Sequence, residues 1–402
     1  MFAPEGLLTP RMPPHVYKKM KQHILSLLRQ HFRYVETAIE APAKKDYGDI
    51  DILVAEPIER PSSAFTPEDL AAFLASTTSK KTRGSSTTHV AVPWPEEEGT
   101  NTPPQVTIKF VQVDIHVCPS SEALTWDLFH HAHGDLWNIL RAIIRPLGLT
   151  CTSRGLFLRI EEIQPHNKDL SRVFMTDNSS EVLKYLGLEE QRFWRSFSSW
   201  DDMMDYAATC RFHDPKRGKD RDAEKIKETL RHNDRQRTIK RPIFGYWVET
   251  YLPAHRDNPP GSSASMTREE VVGEARRWFG NDFAANYEHR KSQGMRAMGV
   301  EKLWSDIRKS LPVEGVEIGY VIKGMKREIV GDAEGKSVEE MARQQRDYAG
   351  GRFDAVAEWG RDNWKEVGER QKALDREKSA QHLFAKGERE RQEGEKAVGG
   401  EK

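Results

Sequence analysis

Two strongly apolar segments limit what this chain can fold into: IDILV at 50–54 and VTIKFVQVDIHVC at 106–118. Both predict β-strands, and the second shows the alternation of a strand that has one covered face. Each segment carries an acid, Asp51 in the first and Asp114 in the second. Because an ionised carboxylate is costly to bury alone, each acid needs a metal, a base or solvent beside it. Adjacent strands would bring the two acids together.

A further carboxylate lies close to the first acid. Side chains two residues apart in a strand point to the same face, so Asp49 and Asp51 would lie about 6.5–7 Å apart along the backbone. These two could share divalent cations, with Asp114 as a third ligand. The pattern predicts a catalytic site that binds Mg²⁺ or Mn²⁺. The alternative is that Asp49 caps a turn, Asp51 faces solvent at an edge strand, and Asp114 pairs with a basic side chain such as Lys109.

Three carboxylates on neighbouring strands are what the two-metal transfer of a phosphoryl group requires. The first two acids would bridge the metals, and the third would complete the metal that activates the attacking hydroxyl. The loop APAKKDYGD, just upstream, contains Lys44, Lys45 and Gly48. We expect this loop to bind the nucleotide, since its lysines can neutralise triphosphate charge.

The order of these features resembles the nucleotidyltransferase superfamily that contains DNA polymerase beta, CCA-adding enzymes and antibiotic nucleotidyltransferases. The shared pattern is an initial helix, a strand, the loop AKKDYGD, the Asp49-x-Asp51 strand, and Asp114 on a later strand. It covers roughly residues 15–160. The resemblance implies a polymerase beta-like fold and a Mg²⁺-dependent transfer of a nucleoside monophosphate from an NTP to an acceptor, whose identity the sequence does not indicate.

The chain also resembles a group of fungal nucleotidyltransferase-like proteins through its KKDYGDID, VDIH and HAHGDLWN segments. It departs from the superfamily at one place. The superfamily's first strand normally ends in Gly-Ser, a turn that holds the nucleotide phosphates close to the backbone. Here Glu40-Ala41-Pro42 stands at that place, with no hydroxyl and with a proline that lacks an N–H. A glutamate that points inward there would repel a triphosphate.

This departure leaves two hypotheses open. The first is an active nucleotidyltransferase. The second is a catalytically inactive protein of the same fold that binds nucleic acid or another protein. Segment 211–241 carries twelve Lys and Arg against six Asp and Glu, which makes it the one patch able to attract nucleic acid. A solvated helix with ion pairs four residues apart would explain the same composition.

The predicted fold class is α+β. A short mixed sheet with flanking helices would occupy 1–175, including a helix at 15–32, a strand at 34–39 and a flexible insertion at 61–105 that is rich in Ser, Thr, Pro and Gly. Within that insertion Thr66 is placed to cap a short helix, and THVAVPW at 88–94 could form a strand. An all-α region would follow at 176–330. The composition of 331–402 predicts a charged amphipathic helix that passes into a disordered tail.

Three histidines precede a helix in FHHAHGDLW: His130, His131 and His133. Histidines this close together seldom supply tetrahedral coordination by themselves, so we expect packing or capping rather than zinc binding. Asp135 is placed to cap the helix that follows. The three cysteines lie far apart, with none in a C-x-x-C pair, so the sequence indicates neither a disulfide framework nor a cysteine zinc site.

Charge and hydropathy exclude several classes of protein. The 62 basic and 62 acidic residues cancel, which argues against a uniformly basic nucleic-acid-binding surface. No apolar run approaches the roughly 18 residues of a membrane helix, and no signal-peptide stretch begins the chain. We therefore expect no membrane partner and an intracellular location, cytoplasmic or nuclear. The motifs of P-loop, Rossmann and α/β-hydrolase enzymes do not occur in the sequence.

Overall fold

The computed structural model describes residues 6–59, 65–81, 84–95, 109–214, 241–255, 265–331 and 341–399, with only the backbone beyond 389. The chain divides into two compact units. One consists of Met1–Arg159 and Arg172–Ala284, and the other of Ile160–Ser171 and Ala285–Lys402. The division of the chain at 175 and 330 stays a prediction. Within the described ranges, no helix is long and apolar enough to span a membrane.

The first unit is built on a five-stranded mixed sheet. Its strands are β1 (Phe32–Glu36), β2 (Ile50–Pro57), β3 (Ser79–Lys81), β4 (Thr87–Pro93) and β5 (Phe110–Val117). The spatial order is β1-β2-β5-β4-β3, with β2 and β5 parallel and the other neighbours antiparallel. The mixed sheet and its two central strands agree with the prediction. The first strand lies two residues earlier than predicted, because its pairing with β2 begins at Phe32.

Two strands of this sheet fall in the segment that the sequence predicted to be a flexible insertion. Helix α2 (Pro67–Phe73) also lies there, and it begins with a reciprocal cap between Thr66 and Asp69. Strand β4 pairs with β5 along its whole length. Its alternating β-branched residues suit a half-buried position, and they cover an edge of β5 that would otherwise be open to solvent. Residues 60–64, 82–83 and 96–108 lie outside the described parts.

The sheet presents different residues on its two faces. One face packs against α1 (Pro14–Leu28) and α2 and forms the main core, to which β2 contributes Ile50 and Ile52, and β5 contributes Val113 and Ile115. The opposite face has a smaller core in which Leu53 and Cys118 pack near Leu124 of α3 (Ser121–His131). Because side chains alternate along a strand, Asp51 and Asp114 belong to this second face.

A second sheet and several helices complete the first unit. The sheet is antiparallel and contains β6 (Leu149–Thr152), β7 (Gly155–Arg159) and β8 (Arg172–Thr176). The helices are α4 (Leu136–Ile144), α5 (Ser179–Leu186), α6 (Glu190–Phe193), α7 (Trp200–Ala208) and α8 (Pro242–Tyr246), which continues through a π-helical turn (Trp247–Tyr251) into α9 (Leu252–Ala254). Residues 215–240, most of the predicted nucleic-acid segment, lie outside the described parts.

The second unit is helical. Helix α10 (Arg268–Ser310) begins in the first unit and ends in the second, and it is interrupted at Gly280, where φ is +79°. The helices α11 (Gly315–Ile329), α12 (Arg343–Ala349) and α13 (Phe353–Gly399) follow. Helix α13 runs through most of the tail that was predicted to be disordered, since its Ala, Glu, Lys and Arg residues favour a helix despite their charge.

Candidate functional site

Strands β2 and β5 bring the predicted acids together. Their parallel register places Asp51 directly opposite Asp114. Asp49 lies one residue before β2 begins, and its charge interacts with those of both other acids. The three carboxylates therefore lie near one another on the face of the sheet away from the main core, without one oxygen of each coming within 4.8 Å of the other two. We call them the acid cluster.

The three carboxylates of the acid cluster repel one another when they are ionised. Burial, followed by the charges of Asp49 and Asp114, raises the pKa of Asp51 to about 6. Burial and the charge of Asp114 also raise the pKa of Asp49. Protein atoms crowd around Asp51, yet one side of the residue is exposed, so ions can reach it. A divalent cation would relieve the repulsion among these carboxylates.

Asp114 has two partners that the sequence analysis missed. Its Oδ1 lies 2.7 Å from Nδ1 of His89, which faces it on β4, and accepts a hydrogen bond of 3.0 Å from Gln112 Nε2. No described residue hydrogen-bonds to its Oδ2. The alternative pairing with Lys109 is not observed, since the Lys109 ammonium lies over the ring of Trp94. Cross-strand spacing could have indicated His89, because THVAVP and VQVDIHV pair in antiparallel register.

Glu40, in the loop after β1, lies next to the acid cluster. Its charge contributes to the raised pKa of Asp51, whereas Lys44 lowers that pKa. Lys44 donates to Oε2 of Glu40 at 2.7 Å, and the hydroxyl of Tyr17 donates to Oε1. The ring of Tyr17 stacks on Tyr47 with 3.7 Å between centroids. Glu40 is thus close enough to repel an anion. Its charge is partly neutralised by Lys44, and the Tyr17 hydroxyl donates to its other oxygen.

The other two predicted loop residues differ in their surroundings. Lys45 is exposed on the surface. Gly48 allows the close approach of an arginine, since a Cβ there would lie 3.2 Å from Nη1 of Arg11. Arg11 also donates to Asp46 at 2.6 Å. Its charge partly offsets the rise in the pKa of Asp49. The sequence analysis missed Arg11 because it lies far upstream in the chain.

The HAHGD segment at 131–135 contacts the loop after β1. The backbone N–H of His133 donates to the carbonyl of Ile39 at 2.7 Å. Gly134 has a φ of +60°, and a Cβ there would lie 2.9 Å from the Cβ of Ala41. Only glycine satisfies both conditions without strain. The motif therefore fixes the loop after β1 in place.

The structure differs from the prediction made for Asp135, the last residue of this segment. Asp135 was expected to cap α4, but its side chain makes no capping bond, and its backbone lacks the extended conformation of a typical N-cap. Its carboxylate instead accepts from Asn138 at 2.8 Å and pairs with Arg241. The prediction of a cap was therefore wrong. The indole of Trp200 donates to the carbonyl of Pro42 at 3.1 Å and holds the same loop from α7.

Two of the three histidines are packed, as expected. His133 is buried, donates through Nε2 to the carbonyl of Phe193 at 2.6 Å, and has a pKa lowered to about 4 by burial. Burial and the charge of Arg141 likewise lower the pKa of His130 to about 4, and His130 Nε2 accepts from Arg141 at 2.6 Å. His131, at the end of α3, is exposed on one side.

Comparison with known proteins gives a weak partial likeness. No protein-family model matches the chain, and no curated protein matches it in sequence. Among solved structures, the chain is similar to polymerase beta of Leishmania infantum in a ternary gap complex, with a TM-score of 0.32 and 14% identity over 45% of this chain and 68% of that one. A ternary P/T complex of the same polymerase gives a TM-score of 0.31 and 15% identity over 45% and 75%.

Proposed function

We propose that this protein is a nucleotidyltransferase that uses Mg²⁺ or Mn²⁺ to transfer a nucleoside monophosphate from an NTP to an acceptor. The observation that carries the proposal is the register of the two central strands, which sets Asp51 opposite Asp114 with Asp49 at the entry to β2. The acceptor is left open, because one fold serves many acceptors.

The residues of the acid cluster fit a divalent cation of this kind. Carboxylate oxygens are the ligands that Mg²⁺ prefers, and three carboxylates lie on this face of the sheet, although their oxygens do not all come within 4.8 Å of one another. The buried Oε1 of Gln112, beside Asp114, has no hydrogen-bond partner among the described residues, so an acceptor at this position is also unused. Asp49, Asp51 and Asp114 would hold the metal. When bound, it would supply positive charge to the phosphates and lower the pKa of the attacking hydroxyl.

Neighbouring side chains would orient the acids and the nucleotide. His89 and Gln112 hold one oxygen of Asp114 and thereby fix the direction of its carboxylate. Lys44 lies near Asp51 and could exchange its ion pair with Glu40 for a phosphate oxygen. Such an exchange would leave the Glu40 charge partly uncompensated, so nucleotide affinity should be lower than it would be with a neutral residue at position 40.

Glu40 also favours a second candidate function. A carboxylate beside the acid cluster opposes the binding of a triphosphate, so the same fold could serve as a binding module without turnover. Nucleic-acid binding would then depend on segment 211–241 and would weaken steeply with salt. The two candidates differ in one measurable property, the binding of a nucleotide together with a metal.

Isothermal titration tests the proposal. The protein is titrated with non-hydrolysable analogues of the four NTPs, with and without Mg²⁺. We expect binding that requires Mg²⁺ and is lost in the Asp49→Asn/Asp51→Asn double variant. Glu59→Gln is the matched control, because it removes one negative charge from an exposed position just after β2. The absence of binding at millimolar nucleotide in the unmodified protein would contradict the proposal and favour the binding module.

A further inference from the structure

Beyond the acid cluster, strand β5 leads to a second group of candidate metal ligands. His116 lies near the end of β5, and Cys118 lies one residue beyond it. Asp127 projects from α3, which covers this face of the sheet. One ligand atom from each of the three residues lies within 4.8 Å of the other two, and no other such trio of His, Cys, Asp or Glu occurs among the described residues. We call these three residues the mixed cluster.

Two of the three distances within the mixed cluster match the edges of a zinc coordination shell. His116 Nε2 lies 3.4 Å from Oδ2 of Asp127, and Cys118 Sγ lies 3.7 Å from the same oxygen. Zn–N, Zn–O and Zn–S bonds of about 2.0–2.3 Å at tetrahedral angles place ligand pairs about 3.4 Å (N to O) and about 3.6 Å (S to O) apart. A nitrogen and an oxygen 3.4 Å apart make a poor direct hydrogen bond. The spacing of His116 and Asp127 therefore suits a shared ion better than a direct contact, whereas the Cys118 thiol donates a weak hydrogen bond to Oδ2 of Asp127 in the absence of an ion.

The surroundings of His116 also suit a ligand. Its Nδ1 lies 3.0 Å from Oγ1 of Thr87 and 3.2 Å from Oγ of Ser86. An Nδ1–H that donates to a hydroxyl leaves Nε2 as the acceptor, on the side of Asp127. Metal-binding histidines usually donate their other ring nitrogen to a fixed partner in this way.

A fourth ligand is within reach on the same helix. His131 follows Asp127 by four residues on α3, so both side chains lie on one face of the helix. His131 is exposed on one side, so it can turn toward an ion without disturbing the core.

We propose that His116, Cys118 and Asp127 form a zinc site, with His131 at the fourth position. The combination of sulfur, imidazole nitrogen and carboxylate suits zinc and does not suit Mg²⁺, which prefers oxygen ligands alone. On binding, the Cys118 thiol proton passes to solvent, and the thiolate sulfur and the Nε2 of His116 become bonded to Zn²⁺. The ion would join α3 to the end of β5. This site does not depend on the proposed nucleotidyl transfer.

Metal analysis and cobalt spectroscopy test the proposal. The full-length protein is purified, stripped with a chelator, supplied with one equivalent of Zn²⁺, desalted and measured for zinc per chain. We expect about one zinc per chain. The same protein loaded with Co²⁺ should show the charge-transfer absorption of a thiolate–cobalt bond, which a site without cysteine lacks.

Matched variants separate this site from other places where zinc could bind. Cys118→Ser and Asp127→Asn should retain less than a tenth of the zinc, and Cys118→Ser should lose the thiolate–cobalt band. Cys210→Ser, at another buried free cysteine, should retain both, as should the Asp49→Asn/Asp51→Asn variant. Circular dichroism checks that each variant is folded. Thr87→Val should weaken zinc binding by about tenfold, because it removes a hydroxyl that fixes His116.

Two results would overturn the proposal. One is the absence of bound zinc in the unmodified protein after loading. The other is a thiolate–cobalt band that persists in folded Cys118→Ser, which would assign the sulfur ligand to a different cysteine. Since the acid cluster contains no sulfur, a failure of this test leaves the proposed nucleotidyl transfer untouched, and the reverse also holds.

Discussion

The acid cluster and the mixed cluster lie on the same face of the same strand but offer opposite chemistry. Asp114 and His116 are two residues apart on β5, so their positions are about 6.5–7 Å apart along the backbone. The acid cluster offers only carboxylate oxygens as metal ligands, and its negative charges repel one another. The mixed cluster combines nitrogen, sulfur and a single carboxylate. One strand thus carries a site suited to an exchangeable hard cation beside a site suited to a permanent, softer one.

The difference teaches that the environment of a ligand matters as much as its identity. Asp51 is exposed on one side, as an exchangeable metal and its nucleotide require. Cys118 is fully buried and Asp127 is mostly covered, as a structural metal requires. We therefore expect chelation to remove the metal of the acid cluster readily and that of the mixed cluster slowly.

The largest expected effect is that of Asp51→Asn on turnover. The substitution keeps the shape of the side chain but removes one of three carboxylates, so we expect the rate of NTP-dependent transfer to fall at least about a hundredfold. Release of pyrophosphate is the measurement. Zinc content should remain unchanged, which would separate the two clusters. Equal rates in Asp51→Asn and the control Glu59→Gln would show that the acids play no catalytic role.

The pH dependence of metal binding gives the next largest effect. The pKa of Asp51 is raised to about 6, so below pH 6 a proton competes with the metal for this carboxylate. We expect the affinity for Mn²⁺ to fall by about tenfold per pH unit below pH 6 and to level off above pH 7. Electron paramagnetic resonance of free Mn²⁺ measures it. An affinity for Mn²⁺ that does not change between pH 5 and 7 would show that Asp51 does not bind the metal.

A smaller effect should follow from Glu40→Gln, which removes the acid in the loop after β1. The substitution removes repulsion of the triphosphate and frees Lys44 from its ion pair. We expect the affinity for Mg²⁺–NTP to rise about fivefold, equivalent to about 1 kcal/mol for a pair near the surface. Titration with a non-hydrolysable nucleotide measures it. A loss of affinity would mean that Glu40 itself takes part in binding.

The smallest effect concerns stability without metal. The pKa of Asp51 is higher in the folded protein than the value of about 3.9 in an unfolded chain, so its ionised form is disfavoured on folding. This penalty is complete above about pH 6 and absent below about pH 4. At pH 7, Asp51→Asn should therefore raise the free energy of unfolding, by about 1 kcal/mol after allowance for solvent screening of a partly exposed group. Urea unfolding at pH 7 and at pH 4 measures the free energy of unfolding. An equal increase at pH 4 would show that the effect does not come from the ionised Asp51 carboxylate.

The sequence predicted the parts of the fold that rest on local patterns. The apolar runs around Asp51 and Asp114 identified both central strands, and strand alternation identified their shared site. Thr66 was identified as a helix cap because the signal spans only three residues. Strand β3 was obscured by the Ser- and Thr-rich composition around it. The pattern THVAVPW at 88–94 indicated the strand that the structure shows as β4, but composition does not show what a strand pairs with.

The parts of the site that were missed depend on contacts distant in sequence. His89 reaches Asp114 across a strand pair that 25 residues separate, and Tyr17 reaches Glu40 from α1. The mixed cluster was not anticipated, because a search for paired cysteines passes over a single Cys118 joined by residues from a strand and a helix. The spacings His116-x-Cys118 and Asp127-x-x-x-His131 would have indicated it, given that α3 covers β5.

The central claim is that Asp49, Asp51 and Asp114 together hold a divalent cation. The most direct measurement is a Mn²⁺ titration followed by electron paramagnetic resonance, without nucleotide, on zinc-loaded protein. We expect saturable binding in the unmodified protein and in Cys118→Ser, and a loss of that binding in Asp51→Asn and in Asp114→Asn. Binding that is equal in the unmodified protein, Asp51→Asn and Asp114→Asn would contradict it.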